Sequence, residues 1–202
     1  TVQPAYQFIK GLLKNVKNLT IDSDYMMVVS PDEGGMSRAI YIANNLGLDM
    51  GMFYKRRDYT RLVDGRNPII AHEFLGSSVE GKDVIVVDDM ISSGESVIDV
   101  CAALKKRKAN RIFVFATFGL FTNGLEKFDE AHSEGLIDYI LTTNLIYQSP
   151  ELLKRSYYIN CDLSKYIAYI IDTLNHDASI SDLLNPSDRI QNLLARYRSG
   201  EM

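Results

Sequence analysis

Short apolar runs without polar alternation constrain this chain more than any other feature of its sequence. Met26 to Ser30 and Asp83 to Asp88 are two such runs, and strands of this kind are usually covered on both faces, as in a parallel sheet. Segments with helical spacing follow them, from about Met36 to Leu46 and from about Ser96 to Lys106. Strands that alternate with helices of this length indicate βαβ units. The sequence therefore predicts an α/β fold, with a doubly wound, mostly parallel sheet and helices on both faces.

The rest of the chain continues this alternation and then becomes helical. Further strands are predicted near 50–54, 111–117 and 139–142, and further helices over 4–17 and 125–133. Toward the C-terminus the spacing of apolar residues predicts helices over 163–174, 180–184 and 186–197, the first of which buries one face. We expect one α/β domain over 1–184 and a C-terminal helical extension over 185–202.

One stretch departs from this pattern. Tyr54 to Ser78 is long and polar, carries several Lys and Arg residues, and surrounds a single short apolar segment, Ile69 to Leu75. A loop of this length in a compact domain is usually functional or mobile. The sequence predicts a long loop here.

The charge balance limits the partners that the chain can bind. The 202 residues include 22 Lys and Arg and 26 Asp and Glu, for a net charge of −4. A chain without a basic field has little to hold a nucleic-acid backbone or an anionic membrane. We therefore expect neither partner, and expect any anion to be bound by a local site.

The cysteines and the apolar runs bear on the compartment. Cys101 and Cys161 belong to no metal-binding or redox pattern, which suggests free thiols in a reducing compartment. No apolar run approaches the roughly 20 residues of a membrane span. These features favour the cytoplasm. Because the chain opens at Thr1 and enters a helical pattern almost at once, we expect a piece of a longer protein.

The strongest candidate site follows the apolar run that ends at Asp88. Asp88 and Asp89 are succeeded by a turn rich in hydroxyl groups, Ser92-Ser93-Gly94-Glu95-Ser96, which opens a helix. Backbone N–H groups at a helix N-terminus bind phosphate, and carboxylates at a strand end accept hydrogen bonds from sugar hydroxyls, directly or through Mg²⁺. The segment therefore suits a sugar phosphate. The alternative is that the acids only end a strand and the serines only cap a helix.

Two more segments end predicted strands. Ser30-Pro31-Asp32-Glu33-Gly34-Gly35 is an acidic, glycine-rich turn before a helix, in which Asp32 is placed to hold a cation; it can equally be an ordinary turn. Lys55-Arg56-Arg57 follows the next strand, and in an acidic chain three cations at a strand's carboxyl end favour contacts to a polyphosphate. Because ligands of open α/β sheets bind at the carboxyl ends of strands, we expect these segments to lie together.

Together the three segments resemble the motifs of a known family. The segment from Asp88 to Ser96 is similar to the phosphoribosyl-pyrophosphate motif of type I phosphoribosyltransferases. Its combination with Ser-Pro-Asp-x-Gly-Gly-x-x-Arg-Ala and Lys-Arg-Arg resembles the C-terminal half of ribose-phosphate pyrophosphokinases. The resemblance starts near Leu19 and continues through Thr142-Thr143-Asn144 and 180–184.

The resemblance implies an activity and roles for individual residues. It implies Mg²⁺-dependent transfer of the β,γ-diphosphoryl group of ATP to the C1 hydroxyl of ribose 5-phosphate, which releases AMP and supplies nucleotide biosynthesis. Lys55 would stabilise charge on the transferred group, Arg57 would contact the substrates as a flexible loop closes, and Asp32 would be a magnesium ligand. The residues implied in binding ribose 5-phosphate are Asp88, Asp89, Ser92, Ser93, Gly94, Glu95 and Ser96. The family also implies a homo-oligomer.

The chain departs from the family in several places. Glu95 puts a negative charge in the phosphate loop, which is unfavourable unless its side chain turns away or pairs with a cation. The 58–78 stretch is longer than the family's catalytic loop, and the N-terminal domain, which supplies much of the ATP site, is absent here. We therefore expect a divergent pyrophosphokinase represented by its C-terminal domain, weakly active or inactive alone. A phosphoribosyltransferase and a non-catalytic regulatory subunit remain the alternatives.

Overall fold

The computed structural model describes residues 3–57 and 69–201 and contains a seven-stranded sheet. The side chains of 55–57, 69–72 and 182 lie outside the described part. The strands are β1 (Met26–Ser30), β2 (Asp49–Arg57), β3 (Ile69–Leu75), β4 (Asp83–Ile91), β5 (Ile112–Gly119), β6 (Tyr139–Thr143) and β7 (Tyr158–Cys161). The helices within the described residues are α1 (Ala5–Asn15), α2 (Met36–Leu46), α3 (Glu95–Lys106), α4 (Glu126–Ser133), α5 (Pro150–Leu153), α6 (Ser164–Asn175), α7 (Ser181–Leu184) and α8 (Ser187–Arg198).

The strand order is β3-β2-β1-β4-β5-β6-β7, and every neighbouring pair is parallel except β2 with β3. The chain leaves β1 through α2 to β2 on one side, and the later strands are added on the other side of β1. The order therefore reverses between β1 and β4. A crevice opens at the carboxyl ends of two strands related in this way.

Two apolar cores cover the two faces of the sheet. Helices α1, α2 and α8 pack on one face, where Phe8 stacks on Phe115 with ring centroids 5.1 Å apart. Helices α3, α4 and α5 contribute to the core on the other face, which contains the thiol of Cys101. Burial raises the pKa of Cys101 and that of Cys161, so both thiols are inert packing groups. The predicted doubly wound sheet with helices on both faces is confirmed.

The structure corrects the prediction of a long loop from Tyr54 to Ser78. Strand β2 extends to Arg57, and the apolar segment Ile69–Leu75 forms β3, which pairs antiparallel with β2. Residues 58–68 of the predicted loop lie outside the described residues. This apolar segment is short and has long polar stretches before it, unlike the buried central strands that alternate with helices. Its pairing with β2 makes it a strand, and the sequence pattern does not show that pairing.

Strand β4 also differs from its prediction. It does not end at Asp88 but continues to Ile91, because β5 is long enough to pair with it as far as Gly119. Asp88 and Asp89 therefore lie within a paired strand, not in the turn that follows it. Helix α3 starts one residue earlier than expected, at Glu95.

The C-terminal helices form where they are predicted, with different packing. Helix α8 inserts Ile190, Leu193 and Leu194 into the same core as α1 and α2, so the segment predicted as an extension is part of the domain's packing. The expectation that 163–174 buries one face holds for the start of the segment, where Leu163 and Tyr166 are buried and Ile167 is half-buried. Toward its end Ile171 and Leu174 are exposed. None of the described helices is both long enough and apolar enough to cross a membrane.

Candidate phosphate and sugar site

The candidate site lies in the crevice between the carboxyl ends of β1 and β4. Helix α2 leaves β1 toward one face of the sheet and α3 leaves β4 toward the other. The N-terminus of each helix therefore lies at this edge. No described side chain caps either helix, so both N-termini keep backbone N–H groups for other acceptors.

The turn from β1 to α2 is built around Asp32. Its Oδ1 accepts a hydrogen bond from the backbone N–H of Gly35 at 3.0 Å, and the Ser30 hydroxyl donates to the Asp32 carbonyl at 2.7 Å. A side chain at position 35 would meet the Ser30 hydroxyl at 2.6 Å and the Val87 carbonyl at 3.3 Å. Glycine at 35 thus lets this turn lie directly against β4.

Asp88 and Asp89 share a cation that comes from the neighbouring helix. The Arg38 guanidinium, in the first turn of α2, lies 3.9 Å from Asp88 Oδ1 and 3.6 Å from Asp89 Oδ2. The Arg38 Nε is buried and has no hydrogen-bond partner among the residues that the structure describes. The guanidinium therefore balances the two acids without being fixed to either by a hydrogen bond.

The environment of Asp88 is unfavourable for its charge. Burial raises the pKa of Asp88 to about 6, and the carboxylates of Asp89 and Asp32 act in the same direction, whereas a hydrogen bond from the Asp89 backbone N–H acts against them. The Asp88 side chain is 22% exposed. Strongly shifted acids in a cleft are a common mark of functional sites.

A cavity of about 570 Å³ adjoins these acids. Asp88, Asp89 and Arg38 are among the residues that line it, together with apolar side chains of α1 and α2 such as Phe8 and Ile42. The acids therefore lie beside a space large enough to admit a small molecule.

The loop from β4 to α3 is shaped by a glycine against an aromatic ring. Gly94 has φ +86° and precedes the first residue of α3. A side chain at this position would overlap the ring of Phe128, which is buried in α4. The loop is also joined to the segment after β5, because the Thr122 N–H donates to the Ser92 carbonyl at 3.0 Å. This packing fixes the loop ahead of α3, where Ser92, Glu95 and Ser96 are exposed.

Glu95 is paired with a cation outside its own loop. Its Oε1 lies 2.6 Å from the Nζ of Lys127, which α4 supplies. The hydrogen bond from Lys127 lowers the pKa of Glu95, so the carboxylate is ionised at neutral pH. Pairing with a cation is the arrangement under which we expected this charge to be compatible with a phosphate loop.

The structure brings several predicted site residues to one edge of the sheet. Asp32, Asp88, Asp89 and the loop Ser92–Ser96 flank the β1–β4 crevice. Lys55 and Arg57 belong to the last residues of β2, beside β1, but their side chains lie outside the described part. Their assigned roles stay predictions.

Two residues at this edge carried no role in the sequence analysis. Arg38 lies inside the Ser-Pro-Asp-x-Gly-Gly-x-x-Arg-Ala motif, so a cation in the first turn of α2, near the acids, could have been predicted from the sequence. Lys127 had no such signal, since its partner Glu95 is 32 residues away in the sequence. Only the folded chain brings that pair together.

The carboxylates suit a divalent cation that also binds a substrate. The described residues contain no group of three or more His, Cys, Asp and Glu side chains that could hold a metal ion alone. Mg²⁺ usually binds one or two protein carboxylates and completes its shell with water and substrate phosphates. Asp32 and the Asp88–Asp89 pair provide oxygen ligands of this kind, so the residues present fit the ion.

Comparison with known proteins identifies the family of this chain. The profile of the phosphoribosyl transferase domain family matches residues 2–149. A ribose-phosphate pyrophosphokinase of Mycoplasma genitalium is 40% identical over 124 residues, which cover 61% of this chain and 35% of that protein. A protein of the same name from Vibrio parahaemolyticus is 31% identical over 175 residues, covering 86% of this chain and 52% of that protein.

A solved structure gives the same fold. The phosphoribosylpyrophosphate synthetase from Mycobacterium smegmatis superposes with a TM-score of 0.66 and 21% identity, over 84% of this chain and 51% of that one. This chain spans about half the length, or less, of the relatives described here. The fold and site thus define an α/β domain of the type I phosphoribosyltransferase kind. The chain belongs to the phosphoribosyl transferase domain family, and within it resembles the ribose-phosphate pyrophosphokinases.

We predict that Gly94→Ala disturbs the loop far more than a matched glycine substitution does. The new side chain would have a positive φ and would collide with Phe128, so we expect a loss of about 2–4 kcal/mol in the free energy of unfolding. Gly135→Ala is the control, because Gly135 has φ +71° but nothing within 4 Å of its added carbon. It should cost about 1 kcal/mol. Urea unfolding measures both, and equal losses would contradict the packing described for the loop.

The raised pKa of Asp88 predicts a pH-dependent stability. Between about pH 4 and 6 the unfolded chain has lost this proton while the folded chain retains it, so ionisation of Asp88 disfavours folding as the pH rises. Asp88→Asn removes this effect. The variant should therefore gain stability relative to the unchanged protein by about 2–3 kcal/mol between pH 3.5 and 7. Urea unfolding across this range measures the difference, and a difference independent of pH would contradict the burial argument.

Proposed function

We propose that this chain is the ribose 5-phosphate-binding domain of a ribose-phosphate pyrophosphokinase. The proposed reaction transfers diphosphate from ATP to the C1 hydroxyl of ribose 5-phosphate, giving phosphoribosyl pyrophosphate and AMP. The observation that carries the proposal is the position of two acids, Asp88 and Asp89, between two uncapped helix N-termini at one edge of the sheet. That arrangement provides acceptors for sugar hydroxyls beside donors for phosphates.

The 5-phosphate is assigned to the N-terminus of α3. Backbone N–H groups of the loop and first turn, together with the hydroxyls of Ser92, Ser93 and Ser96, donate hydrogen bonds to phosphate oxygens. Gly94 packs against the buried ring of Phe128, which holds the loop backbone in place ahead of the helix. The partial positive charge of the helix end favours the anion.

The ribose is assigned to Asp88 and Asp89. As carboxylates they accept hydrogen bonds from two sugar hydroxyls, and their place beside the α3 loop matches a sugar joined to the bound phosphate. Arg38, 3.6–3.9 Å from both acids, balances their charge while the sugar binds. The sugar is thereby oriented with its C1 hydroxyl toward the diphosphate donor.

The diphosphate is assigned to the turn from β1 to α2 and to the end of β2. The glycine turn would let phosphate oxygens approach the N-terminus of α2, and Asp32, whose Oδ1 accepts the Gly35 N–H, would hold Mg²⁺. Bound there, Mg²⁺ supplies neutralisation of the negative charge on the phosphates. Lys55 and Arg57, on the strand next to β1, would add cations to the transferred group. Phosphoryl transfer depends on such positioning and charge balance more than on covalent help.

The wider setting of the proposal follows the family. We propose a cytoplasmic homo-oligomer that uses ATP as co-substrate and Mg²⁺ as cofactor. Two buried free thiols support a reducing compartment. This chain matches only about half of each relative's length, which supports an ATP site completed by chain regions outside it.

We expect ribose 5-phosphate to bind this chain saturably in calorimetric titrations with and without Mg²⁺. Asp88→Asn should weaken the affinity by about 10- to 100-fold, because a charged acceptor of sugar hydroxyls is lost. Asp172→Asn is the control, since Asp172 is an exposed acid on α6, away from the crevice. Its affinity should equal that of the unchanged protein.

The results of these titrations and of activity assays distinguish the pyrophosphokinase from the two alternative functions. Absence of binding to the unchanged protein would overturn the site and favour a non-catalytic homologue. Binding that Asp88→Asn does not alter would place the sugar elsewhere. With the full-length protein, release of AMP from ATP and ribose 5-phosphate supports the pyrophosphokinase, whereas consumption of phosphoribosyl pyrophosphate with a base identifies a phosphoribosyltransferase.

A further inference from the structure

Helix α4 contacts the phosphate loop at two successive residues. Phe128 lies under Gly94, where even a methyl group would overlap its ring. Lys127, the preceding residue, reaches Glu95 with its Nζ 2.6 Å from Oε1. Because Phe128 is 1% exposed and packed in the core, the backbone that carries Lys127 is fixed relative to the loop. The two contacts join α4 to the residues at which α3 begins.

The charge of Glu95 needs such a partner. Glu95 is the first residue of α3, at the helix end whose free N–H groups are proposed to hold a phosphate dianion. An ionised carboxylate at that place repels the dianion, and the hydrogen bond from Lys127 keeps Glu95 ionised by lowering its pKa. The positive charge of the Lys127 ammonium group, 2.6 Å from Glu95, cancels the carboxylate's negative charge, so the pair has no net charge beside the loop.

The pair has little to do with stability. The side chains of Lys127 and Glu95 are 51% and 63% exposed, and exposed ion pairs contribute little to the free energy of unfolding. A carboxylate in the first turn of a helix is favourable for that helix with or without a lysine beside it. The main effect of Lys127 is therefore on the electrostatic potential at the phosphate loop.

We propose that Lys127 is a positioning residue for ribose 5-phosphate, which draws Glu95 toward α4 and cancels its charge so that the loop accepts a phosphate dianion. The inference rests on the proposed function and adds to it a residue from outside the binding motif. Lys127 acts through Glu95. The proposal therefore predicts that removing Lys127 weakens phosphate binding only while Glu95 is present.

The test is a double-mutant cycle on affinity. Calorimetry with ribose 5-phosphate, and separately with inorganic phosphate, is carried out on the unchanged protein, Lys127→Ala, Glu95→Gln and the double variant. We expect Lys127→Ala to weaken binding by about 3- to 10-fold when Glu95 is present, and the same lysine change to alter the affinity by less than about 2-fold in the Glu95→Gln background. Lys127→Arg should retain the affinity, and Lys165→Ala, an exposed lysine of α6, is the control.

Each result bears on the proposal. Unchanged affinity in Lys127→Ala overturns it, and so does an equal loss when the lysine is removed in the Glu95→Gln background, which would mean that the lysine contacts the phosphate itself. The weakening should shrink as salt rises, because it is electrostatic. If the unchanged protein binds inorganic phosphate but not ribose 5-phosphate, the proposed function fails while the phosphate titrations still test Lys127. Binding of neither ligand overturns both.

Discussion

Close approach of the backbone at the ends of β1 and β4 is the constraint on which the site depends. Gly35 lets the turn after β1 lie against Val87 of β4, and Gly94 lets the loop after β4 lie on the ring of Phe128. With these contacts the N-termini of α2 and α3 flank one crevice while their apolar faces pack on opposite sides of the sheet. The strand order supplies the crevice, and the two glycines let the loops on either side of it pack closely against β4 and α4.

Charges around the crevice are balanced in pairs that come from different elements. Arg38 of α2 lies between the two acids of β4, and Lys127 of α4 lies against Glu95 of α3. The balance at Asp88 is incomplete, since burial still raises its pKa to about 6. Hydrogen-bond donors or a cation from a ligand would stabilise the ionised form of this partly buried carboxylate, so ligand binding and ionisation of Asp88 favour each other.

Much of the fold could be predicted because the central strands are apolar throughout. Met26–Ser30 is buried at every position, and a run of this kind is readable without its neighbours. Strands that are defined mainly by their pairing with a neighbour were harder to predict from the sequence. Tyr158–Cys161 is four residues long and was not predicted, and Ile69–Leu75 was assigned to a loop. At the site, Asp88 and Gly94 carry local signals, whereas the link from Lys127 to Glu95 spans 32 residues and exists only after α4 packs beside α3. Contacts between side chains of different helices and strands depend on how those elements pack, and the sequence pattern does not predict that packing.

The most direct test of the account is where ribose 5-phosphate binds on the chain. Backbone amide shifts in ¹⁵N-resolved NMR spectra, recorded as the sugar phosphate is added, report this residue by residue. The account predicts saturable shifts for the amides of Ser93 to Ser96 and for Asp88 and Asp89. At the other end of α3, Lys106, Arg107 and Lys108 line a basic cleft near the start of β4. Shifts confined to that cleft, or no shifts at all, would contradict the assignment of the phosphate to the N-terminus of α3.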